Sequence, residues 1–251
     1  MGLAVVTVAA GGLPVVESTA GGTPVTEAAN GRGVPVTKVV GKPGMPVVFE
    51  TIGVVAPVTY ATLDGVNSSQ VTVSGGGLTA TVNNSTNNIG ARSTAVKNTG
   101  KFYFEMTAVR ITGNSMGCGL ITPAGTYTNM VNDATQCLMV IPTGTIFSNN
   151  TTSGINIGAY VTSTVLGFAI DFPLRRAWIN KNGGIWNGAA IGSQNPATGL
   201  GGATLLPTVS FSPAVAFGGG APPVSEAATA NFGASAFVGA VPAGFTSGWP
   251  V

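Results

Sequence analysis

A chain without histidine has few routes to hydrolysis, and none of these 251 residues is a histidine. Ser-His-Asp and Cys-His arrangements need an imidazole to take up and return a proton, so neither can be built here. The other route to polysaccharide cleavage is a pair of carboxylates. Beyond residue 60 the acids are Asp64, Glu105, Asp133, Asp171 and Glu226, and no two are close in sequence. No enzymatic role is expected. Gly75-Gly76-Gly77 and Gly218-Gly219-Gly220 lack the Lys-Ser/Thr ending of a phosphate cradle and read as turns. No loop carries the several acidic ligands that calcium takes. Cys118 and Cys137 without a histidine do not make a zinc site. Neither metal nor cofactor is expected. The two thiols read as small buried hydrophobes. A disulfide between them would need their Cα atoms close together, which the sequence does not fix.

What remains is binding, and binding residues concentrate on loops. Two loops offer an aromatic beside polar side chains: Tyr127, Asn129 and Asp133 in one, and Trp186, Asn187 and Gln194 in the other. A ring can stack on a sugar while neighbouring amides hydrogen-bond its hydroxyls. The competing reading of the same residues is plain loop surface.

The bulk composition limits what such loops are mounted on. Charged residues make up 7% of the chain, against roughly 25% in ordinary globular proteins. The hydrophobic share is 44% and the mean hydropathy +0.41, with 38 glycines and 16 prolines. Disordered chains show the opposite balance. The longest uncharged stretch, Asn182 to Ser225, is broken throughout by Gly, Pro, Asn and Thr, so membrane insertion is not expected. The apolar start, Met1 to Ala10, has no basic residue before it and is rich in valine, which favours a strand over a cleaved leader. So few charges point to a surface that faces other subunits, because isolated monomers keep a charged exterior. The formal net charge of +2 is spread along the chain with no cluster beyond Arg175-Arg176, and no nucleic-acid partner is expected.

The front of the chain repeats itself. Leu3-Ala4-Val5-Val6, Leu13-Pro14-Val15-Val16, Thr23-Pro24-Val25-Thr26, Val34-Pro35-Val36-Thr37, Met45-Pro46-Val47-Val48 and Ala56-Pro57-Val58-Thr59 fall in register, with the second position at 4, 14, 24, 35, 46 and 57. The first and third residues of each unit share one face of an extended chain. The third is always valine: Val5, Val15, Val25, Val36, Val47 and Val58. Glycines between the units permit sharp corners, and proline is confined to strand starts and edges. One unit cannot bury its apolar face alone, whereas stacked units can. A unit of about ten residues is too short to circle a single-chain β-helix but suits an intertwined homotrimer, each chain giving one side per layer. Residues 1–60 therefore read as a stalk or docking segment, with the six valines at the trimer and docking interface. A flexible linker is the alternative. These segments resemble the repeated Gly-x-Pro-Val stretches of some bacteriophage virion proteins, head-fibre and decoration types among them. That resemblance implies a virion location and other virion proteins, of capsid or tail, as partners.

Residues 61–251 change pattern. Short alternating strands lie between turn signals and no helical period appears. Gln70–Ser74 and Leu78–Val82 flank three glycines as a hairpin, and Lys101 to Ile111 alternates as one long strand. Gly100-Lys101-Phe102-Tyr103-Phe104-Glu105, Gly117-Cys118-Gly119-Leu120, Gly167 to Asp171, Trp178 to Gly183, Leu206-Pro207-Thr208-Val209-Ser210, and Asn231-Phe232-Gly233 with Phe237 and Pro242-Ala243-Gly244-Phe245 then follow in order. Together these blocks resemble the SPRY domain family. The resemblance implies an all-β antiparallel sandwich with ligand-facing loops at one end, no catalysis, and a protein or glycan, here of the host surface, as ligand. It places two more strands between Thr122 and Val161 and one in Val161 to Phe172. Glu105 and Asp171 are expected to fix turns or adjacent backbone amides, Trp178 to lie in the core, and Asn182-Gly183 to form a tight hairpin turn. Trp249 either caps the sandwich or meets a neighbouring subunit.

Overall fold

The computed structural model describes residues 37–40, 48–51, 57–64, 70–83, 89–112, 116–127, 130, 136–148, 151–218 and 224–251. By contacts the chain divides into two units, residues 1–58 and 59–251. In the first unit β1 (Thr37–Val40) and β2 (Val48–Thr51) pair antiparallel, with Thr37 opposite Thr51 and Val40 opposite Val48. Both strands begin just after a Pro-Val pair, as expected of a residue that cannot donate to the ladder. The pairing joins successive repeats of one chain. Val5, Val15, Val25, Val36 and Val47 lie outside the described residues, and Val58 is 56% exposed.

The second unit opens with β3 (Leu63–Asp64), β4 (Val71–Ser74), β5 (Thr79–Val82), β6 (Ile89–Ser93), β7 (Lys101–Arg110) and β8 (Met116–Ile121). It continues with β9 (Cys137–Val140), β10 (Thr145–Ser148), β11 (Thr151–Asn156), β12 (Val165–Asp171) and β13 (Arg176–Lys181). It closes with β14 (Ala203–Thr204), β15 (Ser212–Phe217), β16 (Ala227–Asn231) and β17 (Thr246–Ser247). One sheet runs β11-β10-β9-β8-β15-β6-β3 and the other β14-β13-β12-β7-β16-β5-β4. All pairings are antiparallel except β17, which lies parallel to Phe102 and Tyr103 of β7. This is the expected two-sheet sandwich. Ser148 Oγ of β10, one strand in from its sheet's edge, donates to the Thr204 carbonyl of the edge strand β14 and so ties the two sheets together.

The central strand shows why the fold forms. Alternation sends Phe102, Phe104, Met106 and Ala108 of β7 between the sheets and Tyr103 and Glu105 to the outside. Between the sheets Phe104 stacks on Phe168 of β12 at 4.9 Å. Trp249 packs on Phe102, Phe104 and Phe172, and its indole N–H donates to the Ala95 carbonyl. It is buried within its own sandwich, which settles the alternatives left open for it. The outer face of the β7 sheet is covered by Trp186, Phe237, Val241 and Phe245, which pack on Tyr103, Ala169 and Trp178. Trp178 is thus buried as expected, but on this outer face. The other sheet's outer face is covered by Tyr127 and Met130 over Cys137, Met139, Ala214 and Ala216. Both cysteines are buried, and no disulfide joins them.

Two expectations need correction. Three strands, β9, β10 and β11, occupy the stretch from Thr122 to Val161, not two. Leu206 to Ser210 is not a strand. Pro207 and Thr208 form a turn, Thr208 has φ of 60°, and the strand begins at Ser212.

Candidate binding site

The acids are placed first, because they decide what chemistry is open. Glu105 is buried on the outer face of β7 and takes three hydrogen bonds. Its Oε1 accepts from the Tyr103 hydroxyl at 2.7 Å and from the Gly239 N–H at 2.7 Å, and its Oε2 accepts from the Val238 N–H at 3.0 Å. Gly239 permits this approach, since a Cβ there would lie 2.5 Å from the Tyr103 hydroxyl. Burial, and then the Glu105 carboxylate, hold the Tyr103 phenol far above its ordinary pKa. Asp171 accepts from the Leu174 N–H at 2.9 Å and pairs with Lys101 at 2.8 Å. Both acids therefore fix turns and backbone amides, as expected. Glu226 is buried and accepts from the Thr112 N–H at 3.2 Å. Asn182 and Gly183, with φ of 50° and 69°, make the expected tight turn, and the Asn182 side chain accepts from the Val165 N–H.

The two predicted loops do not meet, because they cover opposite faces of the sandwich. Tyr127 is 5% exposed, with the Arg92 guanidinium 5.6 Å above its ring, so it is a covering residue and not an open platform for a sugar. Burial raises its phenol pKa, against the lowering effect of Arg92. Asn129 and Asp133 lie outside the described residues. Trp186 is half-buried, edge-on to Tyr103 at 6.3 Å. Asn187 is 4% exposed, accepts from the Ile179 N–H and donates to Gln194 Oε1, which also accepts from the Gly202 N–H. The polar atoms of Asn187 and Gln194 expected to face a ligand thus hold their own loop against β13.

Open concave surface lies elsewhere, at the end of the sandwich where β7 finishes and β12 starts. Two clefts flank the segment from Asn156 to Thr162. One, of about 460 Å³, is lined by Ile111, Pro142, Thr143, Tyr160, Val161 and Thr162. The other, of about 390 Å³, is lined by Asn156, Ile157, Gly158, Lys181, Ile185 and Gly188. The dividing segment is held firmly. The Tyr160 N–H donates to the Pro142 carbonyl and its hydroxyl to the Val140 carbonyl, while Lys181 Nζ donates to the Ala159 carbonyl at 3.0 Å. The Asn156 amide donates to the Thr143 carbonyl and accepts from the Gly158 N–H, joining the two walls. Burial keeps the Tyr160 phenol protonated far above its ordinary range. At the rims Val161 and Ile185 are 68% and 62% exposed.

Among the described residues Lys181 is the one charged residue lining either cleft, and no carboxylate does. The clefts offer apolar contact edged by hydroxyls and an ammonium, with no general acid. Among the described residues no group of three or more His, Cys, Asp or Glu could hold a metal, and no helix is long and apolar enough to cross a membrane. Sequence reasoning missed these residues because each is an ordinary turn residue by type. The available signal was the coincidence of turns at Pro142–Gly144, Gly158 and Asn182–Gly184, all at one end once strand directions are assigned.

The unit is a SPRY-like β-sandwich. Its fold matches the SPRY domain of human HERC1 with a TM-score of 0.53 at 14% identity, covering 67% of this chain and 96% of that one. A second human SPRY domain (14% identity, 67% and 98% covered) and the PSpry domain of TRIM65 (12%, 68% and 91%) give TM-scores of 0.45 and 0.47. No protein-family profile matches the sequence, and no curated protein matches it.

Proposed function

We propose that this chain is a non-enzymatic surface protein of a tailed-bacteriophage particle. In this reading it is a homotrimeric capsid decoration protein or head fibre, docked on other virion proteins through residues 1–60. The SPRY-like sandwich is its displayed binding domain. The observation that carries this is the in-register repeat of six Val-bearing units at the front of a chain with only 7% charged residues. Such units need partners to bury their valines, and a charge-poor exterior suits an assembled protein better than a solitary one. Three of the four described acids beyond residue 60, Glu105, Asp171 and Glu226, are committed to the fold, which agrees with a binding role. Mass photometry of the full chain is the direct test. A trimer is expected, and a stable monomer overturns the reading.

A second reading makes the same chain a tail fibre or receptor-binding adhesin for a host glycan or protein. The two clefts favour it, because they sit at the end opposite to where the chain enters the sandwich. That point of arrival is marked by Tyr60 bridging Pro250 and the Ala61 N–H donating to the Trp249 carbonyl. Antibody labelling of whole particles separates the two: label on the head supports decoration, and label at the tail tip supports the adhesin.

A further inference from the structure

Charge is largely sorted by depth in the sandwich. Every lysine and arginine beyond residue 60 keeps some solvent exposure, whereas three of the four described acids there, Glu105, Asp171 and Glu226, are buried and Asp64 is half-buried. Four of the cations, from two separated stretches of the sequence, gather at the end where the chain enters. Lys97 sits over the Phe102 ring at 5.7 Å, Phe102 packs on Phe172, and Arg175 sits over Phe172 at 5.7 Å. Lys101 and Arg176 stand on either side of Asp171, each directly opposite it across a strand pair. One carboxylate against four cations leaves a formal excess of three positive charges at this rim.

Apart from Lys101, which pairs with Asp171 at 2.8 Å, the cations are held in place by contacts that leave their charge intact. Arg175 donates to the Val209 carbonyl, Arg176 donates to the Gly202 carbonyl and Thr204 hydroxyl, and Lys101 lies 5.7 Å from the centre of the Phe245 ring. Carbonyl and ring contacts position a cation without neutralising it, so little side-chain entropy is left to lose on binding. The other end of the sandwich, with its clefts, has no such concentration.

We infer that this rim is an electrostatic docking face for an acidic protein surface. It deepens the particle reading and rests on it. The first residues of the sandwich, Tyr60 and Ala61, lie at the same end, and the charge excess there is complementary to an acidic partner surface. Fixed, separated cations suit carboxylates on a folded surface. A nucleic acid would call for a continuous basic track with stacking rings.

The test uses the full chain, with its oligomeric state already measured, and poly-L-glutamate as the acidic polypeptide. Loss of binding therefore leaves the trimer result standing. The intact protein is expected to bind at low salt and to release as ionic strength passes about 0.1 M, where screening reaches about 10 Å. Lys97→Gln with Arg176→Gln is expected to weaken binding about tenfold, the sum of two modest charge contributions. Arg110→Gln, an exposed cation at the cleft end that lines neither cleft, is expected to change binding less than about 1.5-fold, against about threefold for Lys97→Gln alone. Equal losses for these two single variants would reduce the effect to net charge and overturn the inference. So would the absence of binding, or tighter binding of a short DNA duplex than of poly-L-glutamate. If the first pair fails to fold, Lys97→Gln alone must still weaken binding about threefold, and no change overturns the proposal.

Discussion

The two ends of the sandwich are built on opposite plans. The end where the chain enters is rich in aromatic rings, with Phe102, Phe172, Phe211 and Trp249 closing the core and cations resting on the outermost rings. At the far end hydrogen-bonded turns take over, and two clefts with exposed Val161 and Ile185 replace the aromatic plug. An end that must bear attachment to the rest of the chain is packed, while an end free of that duty can stay concave. The lesson is that stability and recognition are separated along the strand axis, and the separation can be attacked from either side.

The largest effect is expected at the packed end. Trp249→Ala removes a buried indole that touches three rings, and with it one of three side-chain hydrogen bonds to the Ala95 carbonyl, which also accepts from the Ser93 and Ser212 hydroxyls. A cost of about 3–5 kcal/mol is expected, read by urea denaturation of the intact chain. A loss below about 1 kcal/mol would mean that this end is not the structural one. Next comes Glu105→Ala, which strands the Val238 and Gly239 N–H groups and the Tyr103 hydroxyl inside the covered outer face. About 2–3 kcal/mol is expected, because buried donors left unmet pay their desolvation in full. Glu105→Gln should fall between the wild type and alanine, since it keeps only one acceptor oxygen.

Alkaline pH probes the interior as a whole. Burial, and then the Glu226 charge, push the Cys118 thiol up to about 12 from 9.0. Tyr103 and Tyr160 are raised in the same direction. Their stabilising contribution is complete below the unfolded values, because both states then hold the proton. Above pH 9 the unfolded chain gives up protons that the folded chain keeps, so stability falls as pH climbs toward 12. The slope is at most about 1.4 kcal/mol per pH unit for each group. Denaturation midpoints measured from pH 7 upward should be flat and then decline. Midpoints that rise above pH 9 would contradict the burial of these groups.

How far the sequence foretold this arrangement depended on whether the cause was local. The β4–β5 hairpin, the β7 strand and the Asn182–Gly183 turn were legible because alternation and positive φ are set by neighbours in the chain. The roles of Glu105 and Asp171 came from the family resemblance, and the hydrogen bonds bear them out. Leu206 to Ser210 misled because it alternates like a strand, yet Thr208 turns the backbone before β15 begins. β10 alternates over only four residues, Thr145 to Ser148, and β11 is a mostly polar sheet edge with little apolar signal to announce it. Tyr127 and Asn187 failed as ligand residues for a further reason. Whether a loop aromatic is open or covered depends on strands dozens of residues away. The clefts and the cationic rim were hidden in the same way, since each is assembled from side chains that only strand order brings together.

The smallest thermodynamic effect, and the sharpest test of the contrast between the ends, belongs to the cleft rim. Val161→Asp and Ile185→Asp place charges on residues that are already exposed. Each should therefore change folding stability by less than about 0.5 kcal/mol. If the clefts recognise a host surface, the same substitutions set an unpaired carboxylate beside apolar contact area and should lower particle adsorption well beyond their effect on stability. The two readouts must be taken together. Adsorption lost with the midpoint unchanged assigns recognition to this end. Adsorption unchanged in the doubly substituted particle removes the clefts from the adhesin reading and leaves the far end as a stable, passive cap. A large drop in stability would instead show that Val161 and Ile185 belong to the packed structure, and the division of labour along the strands would have to be withdrawn.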